Sequence, residues 1–292
     1  MRRELLLELL AAAYRGESLP ASTVAGVTVT PEHVAGRVHA LRGAGANVGL
    51  LVGDDGLLVV DSAFACLATR IRAAAAFVSR LPIRHVVNTH WHPDHTDGNG
   101  ALAPEATLIS TAAARRRLDS RGSEDASARR ERAGPPVTFE RELTLEVGGE
   151  TVTLVAAGQA HTDGDAFVVF SNSNVVQTGD CFVTWGFPLV DLESGGSVAG
   201  LVDAVDRVFA TVPRDAKVIP GHGPVSSPED VLRYARQLRE CLGIVRDAIA
   251  LGWPREEVLG AGVLAPYAHL GQGFVSAAAF VDGIYREAGV QA

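Results

Sequence analysis

The densest group of metal-ligating side chains in this 292-residue sequence is Thr89-His90-Trp91-His92-Pro93-Asp94-His95-Thr96-Asp97-Gly98-Asn99. It places three of the nine histidines and a carboxylate within six residues. Imidazole is a borderline ligand that suits zinc, iron, nickel and copper, and an added carboxylate favours a divalent ion. His90 and His92 are two residues apart, so at the end of an extended strand they point the same way and can clamp one ion. Pro93 breaks the strand, and the turn sends Asp94 and His95 to another side of the site. The grouping favours two neighbouring metals over one. Six ligands from one loop would be crowded, so further donors must come from elsewhere. Three places qualify: His161 in Gly158-Gln159-Ala160-His161, Asp180 in Thr178-Gly179-Asp180-Cys181, and His222 in Pro220-Gly221-His222-Gly223. Glycine beside each donor lets the backbone turn sharply near an ion.

These donors must be held by elements, and each follows an apolar run with strand character. His90 follows Arg84–Thr89, His161 follows Val152–Ala156, Asp180 follows Val175–Gln177, and His222 follows Lys217–Ile219. Earlier strands are expected at Val27–Thr30, Arg37–Leu41, Val48–Val52 and Leu57–Val60, the last two joined through the turn Gly53-Asp54-Asp55-Gly56. Others are expected near 107–110, 142–147, 150–156, 166–171, 174–178 and 217–220. An Ala-rich helix is predicted over 64–80, ended by Leu81-Pro82, and another over 196–211. Ser227-Pro228-Glu229-Asp230 supplies an N-cap, a first-position proline and first-turn acids for a helix running to about 250. One or two more helices are expected around Phe274–Tyr285. Two groups of strands, each followed by helices, imply an α+β fold with two mixed sheets packed face to face and helices outside. We divide the chain into an N-terminal helical extension (1–26), a main domain (27–250) and a C-terminal helical extension of the same domain (251–292).

The motif His90-x-His92-x-Asp94-His95, the later His161, the Gly-Asp aspartate Asp180 and the final Gly-His-Gly His222 resemble, in that order, the metallo-β-lactamase superfamily over about residues 27–240. The resemblance implies an αββα sandwich with the site at one edge between the sheets. It also implies that His90, His92 and His161 hold one metal, that Asp94, His95 and His222 hold a second, and that Asp180 bridges the two. Zinc is the first expectation for both ions, with iron or manganese as alternatives. A bridging aspartate is the pattern of glyoxalase-II-like thioesterases and lactonases, whereas zinc β-lactamases place Cys or Ser there; Cys181 next to it is a lesser alternative ligand. Gly45-Ala46-Asn47-Val48, Gly98-Asn99 and Asp191–Ser197 look like a branch of lactamase-like hydrolases of largely unassigned substrate. Asp61 matches the superfamily's early aspartate, which fixes a metal-bound imidazole, and it could equally cap the helix at 64–80.

Two divalent cations a few ångströms apart bring the pKa of a bridging water to roughly 7 and can polarise a carbonyl oxygen. Asp94 is the candidate to orient the nucleophile and carry its proton to the leaving group. The expected activity is hydrolysis of an ester, thioester, lactone or amide of a small molecule. A β-lactamase proper and an iron-dependent oxidoreductase on the same fold are the alternatives. Thr162 and Asp97 are read as loop staples or site groups alike. Trp91 is expected beside the metals or in plain packing, and Trp185, Phe182, Phe187 and Tyr267 as cleft or core aromatics. His33, His39, His85 and His269 are read as structural.

Composition bounds the rest. With 47% hydrophobic and 21% charged residues the chain can bury a large core, which excludes disorder and fibrous repeats. No apolar stretch approaches the roughly 18 to 20 residues of a membrane span, so no membrane partner is expected. A net charge of −8 disfavours nucleic acid, against one basic run near 115–132. The segment Arg115–Pro136 reads as a charged surface or a flap over a cleft. Met1-Arg2-Arg3 and the leucines after it imitate a signal peptide, but Glu4 and Glu8 favour a short amphipathic helix capping the domain. Three cysteines without a CxxC pair encode neither a disulfide framework nor a thiolate metal site, and suggest a cytoplasmic setting. A homo-oligomer is compatible with the C-terminal helices.

Overall fold

A computed structural model describes residues 1–15, 17, 19–120 and 136–289. Twelve strands form two mixed sheets among these residues. The first sheet runs β1 (Thr30–Ala35), β2 (Val38–Arg42), β3 (Val48–Val52), β4 (Leu57–Val60), β5 (Ile83–Val87), β6 (Thr107–Thr111) and β7 (Pro136–Phe139), in sequence order. The second has the order β12 (Lys217–Ile219), β11 (Val175–Gln177), β10 (Asp165–Phe170), β9 (Glu150–Gly158) and β8 (Glu142–Val147). Strands β1 to β4 form an antiparallel meander, while β4 to β7 are parallel and need crossovers. Helices α2 (Ala68–Val78), α3 (Pro93–Thr96), α4 (Asn99–Leu102) and α5 (Ala112–Ser120) lie in those crossovers.

The central strands are apolar on both faces because both faces are covered. In β4, Leu58 and Val60 face the second sheet, where Val152, Leu154, Val168 and Phe170 meet them. Leu57 and Val59 point the other way, into a core shared with α2 and with Leu6 and Leu9 of α1 (Arg3–Tyr14). The outer face of the second sheet packs under α6 (Val198–Phe209) and α7 (Pro228–Ala250), with Phe280 and Ile284 of α9 (Ala277–Glu287) behind them; α8 (Arg255–Gly260) adds Val258. The layers are helix, sheet, sheet, helix, as expected. Between the described residues no helix is long and apolar enough to cross a membrane.

Three local expectations shift. The first strand lies at Thr30–Ala35 rather than 27–30: Pro31 sits on an edge strand, where a missing N–H costs no ladder bond. Strand β7 was hidden by the same effect, since Pro136 opens the other edge of the sheet. The helix expected over 64–80 starts as a tight turn, Ala65–Leu67, before α2. Of the charged segment, Ala112–Ser120 is helical and 121–135 lie outside the described residues.

Candidate metal centre

All seven predicted donors converge at one edge of the sandwich. His90 and His92 follow β5, and Asp94 and His95 lie on α3 directly after it. His161 follows β9, Asp180 sits in the turn after β11, and His222 follows β12. Three subsets have ligand atoms within 4.8 Å of one another: His90, His92 and His161; His90, His95 and Asp180; and Asp94, His95 and His222. The glycines are required by close approach. A Cβ on Gly221 would run into Asp180 Oδ1, and Gly179, at φ 50°, puts its backbone against the Thr89 side chain.

Hydrogen bonding commits one nitrogen of each of the five imidazoles outward. His90 Nδ1 donates to Thr89 Oγ1 (3.1 Å), whose own proton goes to Asp61 Oδ2 (2.8 Å). His95 Nδ1 donates to Asp61 Oδ2 (2.8 Å), His161 Nδ1 to the Leu189 carbonyl (2.5 Å) and His222 Nδ1 to the Gly45 carbonyl (3.1 Å). His92 is reversed: its Nε2 donates to Asp191 Oδ2 (3.0 Å). Each ring therefore has one nitrogen committed outward and turns the other inward. The inward atoms crowd one another. His92 Nδ1 and His161 Nε2 are 2.8 Å apart, and His95 Nε2 and His222 Nε2 lie 3.2 and 3.4 Å from the two oxygens of Asp180. His90 Nε2, His95 Nε2 and Asp180 Oδ1 are buried without a hydrogen-bond partner. Two facing lone pairs at 2.8 Å repel unless a cation or proton lies between them, so this donor set fits divalent metal ions.

The charges divide the rings. Burial pushes His90 well below the ordinary histidine value, with His95 and His161 adding to it, and burial together with His92 brings His161 down to about 4. Both are neutral at any physiological pH, the form in which an imidazole can bind a metal. Against burial, Asp180, Asp61 and Asp94 hold His95 well above its usual value, and Asp180 and Asp94 lift His222 to about 9. Those imidazoles in turn keep Asp94 and Asp180 anionic despite burial. Three carboxylates this close require positive charge among them.

Asp61 does not cap the helix that follows it. At φ 63° its carboxylate accepts from the Thr89 N–H and hydroxyl as well as from His95, and so fixes the approach to the motif. Asp97 accepts from the Ala65 N–H and Thr162 pairs with Asp165, so both staple loops. Cys181 is buried in the helical core, its thiol pushed up by that burial, and it joins none of the three donor groups. Phe182 and Phe187 are core residues, and Tyr267 is bound to Glu240 at the surface. Trp91 packs against His92 with the Arg117 guanidinium 5.9 Å from its ring. Of the aromatic candidates, Trp185 lines the pocket over the donors, stacked on His222 at 4.1 Å. The positioning role of Asp191 went unread in the sequence. Its signal was the polar turn Asp191–Gly195, in which Asp191 also accepts from the Ser194 N–H; His92 and Ser194 together hold the carboxyl well below its usual range despite burial.

The sequence model of the metallo-beta-lactamase superfamily matches residues 41–241. The chain belongs to that superfamily. The solved sec-alkylsulfatase Pisa1 from Pseudomonas sp. superposes with a TM-score of 0.71 at 15% identity, over 89% of this chain and 50% of its own. The metallo-beta-lactamase from Pontibacter korlensis gives 0.56 at 16% identity, over 73% and 99% of the two chains, and the DIM-1 metallo-beta-lactamase 0.58 at 16%, over 73% and 97%. Such identities establish the shared fold alone. The 2,4-dinitroanisole O-demethylase subunit alpha of Nocardioides sp. (strain JS1661) is 26% identical over 160 residues, 54% of this chain and 47% of that protein. The match therefore takes in about half the length of that relative.

Proposed function

We propose that this superfamily member is a metal-dependent hydrolase of a small molecule, with an ester, thioester, lactone or amide carbonyl as its first substrate class. The observation that carries the reading is the common plan of five imidazoles, each tied outward through one nitrogen while the other gathers with Asp94 and Asp180 into three donor groups. His90, His92 and His161 would hold one ion, Asp94, His95 and His222 a second, and Asp180 would reach both, with zinc as the first candidate. When bound, a pair of divalent ions supplies an acidified water and a positive field for a developing oxyanion. The chain's own part is positional. Asp94, buried beside His95 and His222, is held as an anion and can take the water's proton at its carboxylate and deliver it to the leaving group. A cytoplasmic setting belongs to the same reading, supported by cysteines 66, 181 and 241 remaining thiols.

A panel of phenyl esters, acyl thioesters, lactones and nitrocefin, assayed with zinc-, iron- and manganese-loaded protein, tests this. 2,4-Dinitroanisole and a sec-alkyl sulfate belong in it because the similar proteins are named for those groups. Turnover of a carbonyl substrate that stops on chelation is the expected result. Oxygen uptake by the iron form without hydrolysis would replace the proposal by the oxidoreductase alternative.

A further inference from the structure

The metal donors floor a chamber of about 270 Å³, in which His92, Asp94, Asp180 and His222 are exposed to its interior. Its side walls are apolar: Trp185 lies flat on His222, Phe274 stacks on Trp185 at 5.9 Å, and Val183 and Leu189 complete them. A further wall is supplied by α1, whose apolar surface is broader than one stripe. Leu6, Leu9 and Ala12 are buried, as a capping helix requires. Leu7, Leu10 and Ala11, spaced i, i+3 and i+4, line the chamber together with Leu6; Leu6 and Leu10 also pack into the first core, while Leu7 remains 43% exposed. A helix that only capped the domain would carry polar residues there. Among the described residues no lysine or arginine lines the chamber. Arg3, on the same helix, is engaged with the Phe274 ring and carbonyl.

Resting on the hydrolase reading, we infer that this site takes an uncharged, largely apolar molecule the size of one substituted ring, and that α1 is its specificity-determining wall. An apolar cavity of roughly 150 Å³ holds a benzene ring, so 270 Å³ leaves room for one ring and a short reacting group. An anionic group distal to the reacting bond would lose water among Leu10, Trp185 and Phe274, where the nearby cation, Arg3, lies outside the lining and is already set against the Phe274 ring. The chamber therefore selects against substrates that carry a second charged end.

The test compares phenyl acetate with 4-acetoxybenzoate, which differ only by a carboxylate remote from the ester. Metal-loaded protein should show a kcat/KM at least about tenfold lower for the charged ester. Leu7→Arg, at an exposed position, should narrow that ratio by about tenfold while the protein stays folded. Calorimetry with the inert isosteres phenetole and 4-ethoxybenzoate reads the chamber without turnover, and only phenetole should bind. Phenetole binding without cleavage of any ester, thioester, lactone or amide would support the chamber inference and defeat the hydrolase reading. Equal turnover of both esters, unchanged by Leu7→Arg, would overturn the inference and leave the hydrolase reading standing. Failure of phenetole to bind the folded, metal-loaded protein would overturn it too.

Discussion

At the scale of single residues, orientation of the ligands matters as much as their identity. Asp191 sits on the loop after β10 and β11, yet it fixes His92 on the far side of the centre, and the same loop supplies the Leu189 carbonyl to His161. Asp191→Ala should lower metal affinity by about 10- to 100-fold without unfolding the protein, measured by competition with a chromophoric chelator. Unchanged affinity would show that His92 is held by packing alone. Asp94→Ala should abolish turnover in a folded protein, a loss of at least about 100-fold, and near-normal rates would remove Asp94 as the proton carrier. The candidate donors were legible because four cluster after one strand and His161, Asp180 and His222 each follow an apolar strand with glycine nearby. Asp191 was not, because an aspartate in a polar turn looks the same whether or not an imidazole reaches it from 99 residues away.

At the scale of elements, the hydrophobic pattern located nearly every strand, and the departures have one cause. Pro31 and Pro136 read as breakers, but both lie on edge strands, a fact that only the sheet order reveals. The N-terminal helix was legible as amphipathic, whereas the breadth of its apolar surface acquires meaning only once the metal donors are seen beneath it. Leu9, 2% exposed, ties α1 to the first sheet, so Leu9→Ala should cost about 2–5 kcal/mol in urea unfolding. The predicted start of α7 is present as a reciprocal capping box between Ser227 and Asp230. Ser227 and Arg233 hold the Asp230 carboxyl below its unfolded value, outweighing its slight burial. Its contribution is thus present above about pH 4 and is lost as pH falls through the lower folded value. Ser227→Ala should cost about 1 kcal/mol at neutral pH, and the difference from the parent protein should shrink in acid denaturation.

At the scale of the molecule, the centre joins the two sheets. The motif loop belongs to the first, through β5, while His161, Asp180 and His222 are carried by the second. Metal ions bound there would tie the halves of the sandwich together, and ligand linkage then stabilises the native state by about 2.7 kcal/mol at a hundredfold excess over Kd. Chelation should lower Tm by several degrees, with recovery on adding metal back. An unchanged Tm would mean that the sheets are held by the inter-sheet core alone.

The central claim is that seven side chains form a metal centre on which hydrolysis depends. Its most direct test is metal analysis of protein equilibrated with zinc and desalted, paired with ester hydrolysis before and after chelation. We predict roughly two ions per chain, activity lost with the metal and regained on its return. A folded protein that retains no ion, or one stripped of metal whose hydrolysis is undiminished, would contradict the account.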